Sequence, residues 1–464
     1  MKRTAVFLTL ALLIAGGVFV AGQSQERMIG VNVVLKGSIT KAALAELGRF
    51  GRIRDEIPAL NAVTLQARES ELAAIQALPV VASAAPDAER KGAPIDTVPA
   101  ADFTDGLSTW NLDAINVTQP GSEARQVAND GTGVYVAVLD TGLLDSWRQY
   151  FPEERIAVRY ALSFGGGGGE LGFVSSQPNK WEHDQNAHGT HVTSTILGYS
   201  LGGTPINGVA PKATVIPVKV LNQSGSGWAS VIARGIVYVA DLKAGPLAAH
   251  PVVINMSLGG PQLDAVEKAA IDYAIAKGVI IVAAAGNGGE AGMEYPGAYA
   301  PVISVAASGW LGEWATPSWW YALDDPDPLQ TRFYYIADFS SRAKPGQDLD
   351  VAAPGSWVVG PYQTNSGQTS YYFLGGTSMA SPHVAGIVAL MAQKNPGLTA
   401  PVAESVLEGS ALDLAPGCRD IYNSGGSTVL VCWGADATGA GLATADAALA
   451  DTPGPSPAPG SKKK

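Results

Sequence analysis

Three short segments of the chain carry an aspartate, a histidine and a serine, each framed by small residues. They are Val138-Leu-Asp-Thr-Gly142, His188-Gly-Thr-His-Val192 and Gly376-Thr-Ser-Met-Ala-Ser-Pro-His383. A serine hydroxyl is nearly inert at neutral pH and becomes a nucleophile only beside a base. An imidazole can take its proton, and a carboxylate can orient the imidazole. Asp140, His188 and Ser378 are therefore the candidates for acyl transfer. Asp140 closes an apolar run and precedes Thr141 and Gly142, whereas Asp145 reads as a loop carboxylate. Ser378 stands just before an apolar helical pattern with Pro382 in its first turn, and a helix N-terminus favours developing negative charge. Ser381 is the competing hydroxyl and reads as a helix-start residue. His188 and His191 are three apart, and His183 or Asp184 would be needed to complete a metal set. The pattern lacks His-Glu-x-x-His, so His188 reads as a general base and His191 as a buried, hydrogen-bonded residue. His183 reads as a surface residue and His383 as structural.

The chain order Asp140, His188, Ser378 and the three local sequences resemble the subtilisin family, the subtilases. The resemblance runs from about Trp110 to Leu449. It implies a serine endopeptidase that cuts proteins or peptides through an acyl-enzyme, with no cofactor required for the chemistry. It implies that Asn287, in Ala284-Ala-Gly-Asn287, donates its amide to the oxyanion together with the Ser378 N–H. Subtilisin is itself the standard example, where loss of this asparagine lowers turnover by about 10²–10³. Ser257-Leu258-Gly259 and Gly225-Ser226-Gly227 resemble the two edge segments that sandwich a substrate strand. Glu294 matches a position that floors the primary specificity pocket, where a carboxylate would favour Lys or Arg before the cut bond. The rival reading turns Glu294 outward and leaves a pocket for large apolar residues. A calcium-ligating aspartate common nine residues after the triad aspartate is here Gln149, and Leu201–Asn207 lacks carboxylates. The metal ligands are therefore unknown, while a structural calcium held by carbonyls stays open. A catalytically inactive subtilase-fold binding module is the alternative from another functional class.

Elements of two kinds must position these residues. Val134–Leu139, Ala213–Val220, Val252–Met256 and Val279–Ala284 are short, apolar and β-branched, as strands buried on both faces are. Helical patterns run over Val266–Lys277 and Ser381–Gln393. The expected fold is α/β: a doubly wound, mainly parallel sheet flanked by helices, with ligands beyond the carboxyl ends of its strands. A small α+β unit precedes it. Strands are expected at 28–35, 62–65 and 79–82, and helices at 40–50 and 69–78. This unit resembles the inhibitory propeptide of subtilases, so the chain's own propeptide is an expected partner.

The ends and the composition bound the rest. Lys2 and Arg3, an apolar stretch and Val20-Ala21-Gly22 read as a signal peptide over 1–22, with an uncleaved anchor as the rival. The expected division is then a propeptide over 23–91, a linker and processing region over 92–108, a catalytic domain over 109–450 and a Pro-rich tail over 451–464. The linker, from Ala88 to Thr104, reads as exposed. Arg90-Lys91 within it is compatible with self-cleavage there. The expected location is secreted and extracellular, with no membrane contact in the mature form. The formal net charge is -11, and residues 1–105 carry eleven basic and eleven acidic side chains, so the acidity lies in the body. Phosphates would be repelled, which disfavours nucleic-acid partners. The Gly165–Gly169 run lacks the Gly-Lys-Ser/Thr ending of a phosphate-binding loop. Two cysteines, Cys418 and Cys432, flank a turn signal and read as one disulfide stapling a hairpin. An insertion at about Gly309–Ile336 holds four of the ten tryptophans and reads as a cleft rim or, more simply, a self-packed aromatic loop.

Overall fold

A computed structural model describes residues 26–100, 109–120, 124–168, 174–314 and 331–455. The expected signal peptide, the end of the linker and most of the tail lie outside these residues. So do Trp319, Trp320 and Asp324–Asp327 of the insertion.

Strand Tyr135–Asp140 shows why the body folds as it does. Val136 and Val138 face one apolar cluster, and Ala137 and Leu139 face the other. A strand buried on both faces must lie inside a sheet covered on both sides. Among the described residues the sheet has nine strands. Its order is Tyr334–Ile336, Ile303–Trp310, Val279–Ala284, Val252–Met256, Tyr135–Asp140, Thr214–Lys219, Leu162–Gly165 and Ser175–Ser176, with Val351–Pro354 added beside Ile303–Trp310. Only the pairings at Tyr334–Ile336 and Ser175–Ser176 are antiparallel. Helices His188–Leu197 and Thr377–Lys394 cover one face, and Ala229–Ala244 and Ala265–Ala276 the other. The doubly wound α/β expectation is therefore met.

The serine helix starts earlier than its apolar pattern indicates. It spans Thr377–Lys394, and every side chain from Thr377 to Ala392 is buried. Ser378 thus sits in the first turn rather than ahead of it. Helix Ala265–Ala276 is capped by Asp264, whose carboxylate accepts from the N–H groups of Val266 and Glu267.

The N-terminal unit is a four-stranded antiparallel sheet in the order Gly51–Ile57, Ala62–Arg68, Met28–Leu35, Val81–Pro86. Helices Lys41–Leu47 and Leu72–Gln76 flank its strands, and its core includes Val31, Val33, Leu47, Leu65 and Ile75. Strand Gly51–Ile57 was not expected, because an edge strand rich in Arg, Asp and Glu carries little apolar signal. The unit rests on helices Ala229–Ala244 and Ala265–Ala276. Asn32 Nδ2 donates to Asp264 Oδ2 at 2.8 Å and to Asp87 Oδ1 at 2.9 Å. Asp87 accepts from the Ser230 N–H and hydroxyl at the start of the first helix. Arg234 pairs with Asp55.

Strands Gly417–Tyr422 and Thr428–Trp433 form the expected hairpin, with Cys418 and Cys432 opposite each other and disulfide-bonded. The described ends of the insertion pair Ser308–Trp310 against Tyr334–Ile336. Trp310 stacks on Trp110, and Trp314 meets Trp357 and Phe373 edge-on, so this part packs on the body.

Candidate active site

Asp140 is the last residue of its strand, Ser257 follows Val252–Met256, and Asn287 follows Val279–Ala284. All three lie at carboxyl ends of parallel strands, where the fold places ligands. His188 opens helix His188–Leu197 behind Ala187, a non-glycine residue at φ 72. Such a backbone persists only where its surroundings hold it. Here Asp184 does so, accepting from the N–H groups of Asn186 and Ala187. Gly189 is needed for the close approach of helix to strand, because a Cβ there would stand 2.4 Å from the Gly142 carbonyl.

His188 Nδ1 lies 2.8 and 3.0 Å from the two Asp140 carboxylate oxygens, and both side chains are fully buried. Asp140 also accepts from the Thr141 N–H at 2.6 Å. Thr141 Oγ1 donates to Asp184 at 2.9 Å and accepts from the Gly189 N–H. Lys219 donates to the carbonyls of Thr141 and Leu221. Burial pushes the Asp184 carboxyl up to about 6, with Lys219 opposing. Asp184 was considered only as a metal ligand in the sequence. The structure assigns it instead to the turn that carries His188, while His183 is exposed. His191 Nε2 meets the Val358 carbonyl at 3.0 Å, and burial drives its basicity down to about 3, so it stays neutral. His383 meets Met379 O and Asn111, and burial lowers it to about 4.

The Ser378 hydroxyl donates to the Ser257 carbonyl at 3.3 Å, and His188 Nε2 has no hydrogen-bond partner among the described residues. Ser381 Oγ bonds Ser257 Oγ at 2.8 Å and is fixed there. Asn287 Oδ1 accepts from both the N–H and hydroxyl of Thr377, and its Nδ2 lies beside Gly376. Glu294 packs against Gly259 and Gly286, where any side chain would collide with it. Burial raises its carboxyl and Arg90 pulls it down.

The connector from Ala88 onward is not an exposed linker. Glu89–Lys91 forms a strand antiparallel to Ser226–Trp228, pairing Lys91 with Ser226, Arg90 with Gly227 and Glu89 with Trp228. On its other side Lys91 exchanges two 2.9 Å hydrogen bonds with Gly259. The Gly92 N–H donates to the Gly225 carbonyl at 2.8 Å. A Cβ at Gly92 would stand 2.7 Å from the Ser257 carbonyl and 3.4 Å from His188 Cε1. Beyond it the Ile95 N–H reaches the Gly375 carbonyl, and Asp96–Ala100 pairs with Tyr371–Gly375. The segment therefore threads between the two edge strips and past His188 and Ser378. Arg90-Lys91 pairs with the edge strips, and it is the Gly92 position that comes near His188. No sequence signal marks this strand, since its pairing partners are distant and its own residues alternate poorly.

Gln149 accepts from Thr369 Oγ1 at 2.8 Å. Among the described residues one carboxylate group suits a hard cation: Asp348, Asp350 and Glu404. Asp350 is buried and its Oδ1 has no partner, while Oδ2 accepts from the Ser304 N–H and hydroxyl. Burial, then neighbouring carboxylates, raise Asp350 to about 6 and Glu404 to about 7. Oxygen donors of this kind fit calcium.

The sequence profile of the subtilase family matches residues 131–434. The chain is 38% identical over 318 residues to Subtilisin Savinase of Lederbergia lenta, covering 68% of this chain and 95% of that one. It is 34% identical over 282 residues to thermitase of Thermoactinomyces vulgaris, covering 61% and 82%. In structure it is similar to the S41 psychrophilic protease, with a TM-score of 0.55 at 29% identity over 74% of this chain and 99% of that one. Fervidolysin from Fervidobacterium pennivorans, a keratinolytic enzyme related to subtilisin, matches with a TM-score of 0.65 at 24% identity. That likeness covers 93% of this chain and 62% of fervidolysin, and it speaks to fold alone.

Proposed function

The chain belongs to the subtilase family and is a subtilisin-like serine endopeptidase, and from that premise we propose that Asp140, His188 and Ser378 are its catalytic residues. The observation that carries the assignment is the buried His188–Asp140 pair with His188 Nε2 left unpartnered at the mouth of a peptide-filled cleft. In the proposed reaction Ser378 Oγ turns from the Ser257 carbonyl toward His188 Nε2. It attacks the substrate carbonyl carbon while Nε2 takes its proton. Asp140 accepts the Nδ1–H and stabilises the imidazolium. The carbonyl π electrons become the oxyanion, which receives the Asn287 amide and the Ser378 N–H at the helix start. His188 then hands the proton to the leaving amine as the C–N bond breaks. Water repeats the sequence on the acyl-enzyme and frees Ser378.

Substrate lies as an added strand between Gly225–Gly227 and Ser257–Gly259, where the chain's own Glu89–Gly92 lies in the precursor. The N-terminal unit is read as an inhibitor that must be removed, and residues 1–22 as a signal directing secretion. Among the described residues no helix is long and apolar enough to cross a membrane. The chemistry needs no cofactor. Asp348, Asp350 and Glu404 would hold a structural calcium, which supplies charge neutralisation and takes no part in the reaction.

Labelling the processed protein with a fluorophosphonate tests the assignment. Stoichiometric label on Ser378, lost in Ser378→Ala, is expected. Label that survives the substitution would move the nucleophile elsewhere, and no label on wild type would favour an inactive binding module.

A further inference from the structure

Arg90 is the one guanidinium in the cleft segment, and it has no exposed surface. Along Glu89–Lys91 the side chains alternate out, in, out, so Arg90 points into the enzyme while Glu89 and Lys91 face solvent. Its Nη2 meets Glu267 Oε2 at 2.5 Å and its Nε meets Oε1 at 3.1 Å, a two-pronged pair. Nη2 also donates to the Gln262 carbonyl at 2.8 Å. Glu267 too is fully buried. Gly260 leaves the space that the guanidinium occupies, because a Cβ there would stand 2.8 Å from Nη1. Asp264, which caps the helix carrying Glu267, and Glu294 add negative field at the same place.

Apart from Asp87 and the Glu89 carbonyl, which accepts from Arg90 Nη1 at 3.0 Å, the groups around the guanidinium belong to the catalytic body. When the N-terminal unit leaves, Glu267 remains in this pocket without its partner. Such a group is costly to leave unpaired, and a substrate that supplies the cation removes that cost. The backbone register fixes which substrate residue can do so. Lys91 pairs with Gly259, Gly92 donates to Gly225, and the Gly92 position nears His188; from this register we infer that Ser378 attacks the carbonyl of the next residue, Ala93, three residues after Arg90. Resting on the endopeptidase reading, we propose that Glu267 makes this enzyme select substrates with arginine three residues before the residue whose carbonyl is attacked. The ligand is a planar cation, since two parallel N–H···O bonds and a third to a carbonyl use the fork geometry that lysine lacks.

The test uses matched peptides that differ only at that position, arginine against citrulline, which keeps the shape and removes the charge. With the processed wild-type enzyme kcat/KM should favour arginine by about thirtyfold, the size expected when a hydrogen-bonded charge is replaced by a neutral isostere. In Glu267→Gln that ratio should fall to about one. The comparison is a ratio within each enzyme, so partial loss of folded protein does not affect it. Equal kcat/KM for the two peptides in wild type, or an undiminished ratio in Glu267→Gln, would overturn the proposal alone. If neither peptide is cut and fluorophosphonate does not label the protein, the endopeptidase reading fails first.

Discussion

Glu267 and Glu294 both act on Arg90, yet among the described residues only Glu267 is hydrogen-bonded to it. Glu267 is fully buried and doubly bonded to Arg90. Glu294 is half-buried, and burial holds its carboxyl above the usual range. The contrast separates two kinds of acidic pocket. One is closed around a defined cation and rewards its exact shape. The other offers a charge beside open space, where solvent screens it and a large apolar side chain competes. Selectivity should therefore be sharper at the distant residue than beside the cut bond.

Breaking the closed pair has the largest expected effect. In the full-length precursor, Arg90→Ala leaves Glu267 buried and alone, which costs about 3 kcal/mol of docking, roughly a hundredfold in the open population. Hydrolysis of a small ester by the unprocessed protein should rise accordingly. An unchanged rate would mean that the helix-end contacts of Asp87 and Asn32 alone hold the segment in place. Glu294→Gln sharpens the other half of the contrast. The preference for Arg over Phe beside the cut bond should fall by only roughly fivefold, as for a partly screened charge. The wild-type preference should also grow as pH rises through the raised Glu294 titration. A preference for Phe that the substitution leaves untouched would show that this carboxylate does not read substrate.

A third acidic group gives the smallest effect. Asp350 and Glu404 hold protons in the fold to about 6 and 7, above their unfolded values of about 4. Between these limits the native state binds more protons, so stability falls as pH rises through roughly 4 to 7 when no cation is bound. Melting curves in chelator should show this decline, and calcium should flatten it and raise the melting temperature by a few degrees. Parallel curves with and without calcium would remove the site.

The comparison also explains what was legible in the sequence. Asp140, His188, Ser378 and Asn287 stand in motifs whose small residues serve close approach, so their neighbours advertise them. Glu294 was visible through its place before Tyr295-Pro296. Glu267 was not, because one glutamate in the first turn of an amphipathic helix looks like any dipole-complementing residue. Only the strand pairing that brings Arg90 across 177 positions gives it meaning. Asp184 was hidden for the same reason, its role being to hold a turn. The parallel sheet was legible because its strands are continuous apolar runs. Strand Gly51–Ile57 and the cleft strand were not, since edge and inserted strands are defined by partners rather than by their own periodicity.

The central claim, that a closed acidic pocket reads a distant arginine more strictly than an open one reads its neighbour, can be tested in one measurement. The processed enzyme is given a complex peptide library, and the cut sites are read by mass spectrometry. Arginine should be the strongest enrichment three residues before the residue at the cut bond, with a weaker mixture of basic and aromatic residues at the bond itself. A library cut with no arginine enrichment at the distant position, or with the sharper preference beside the bond, would contradict it.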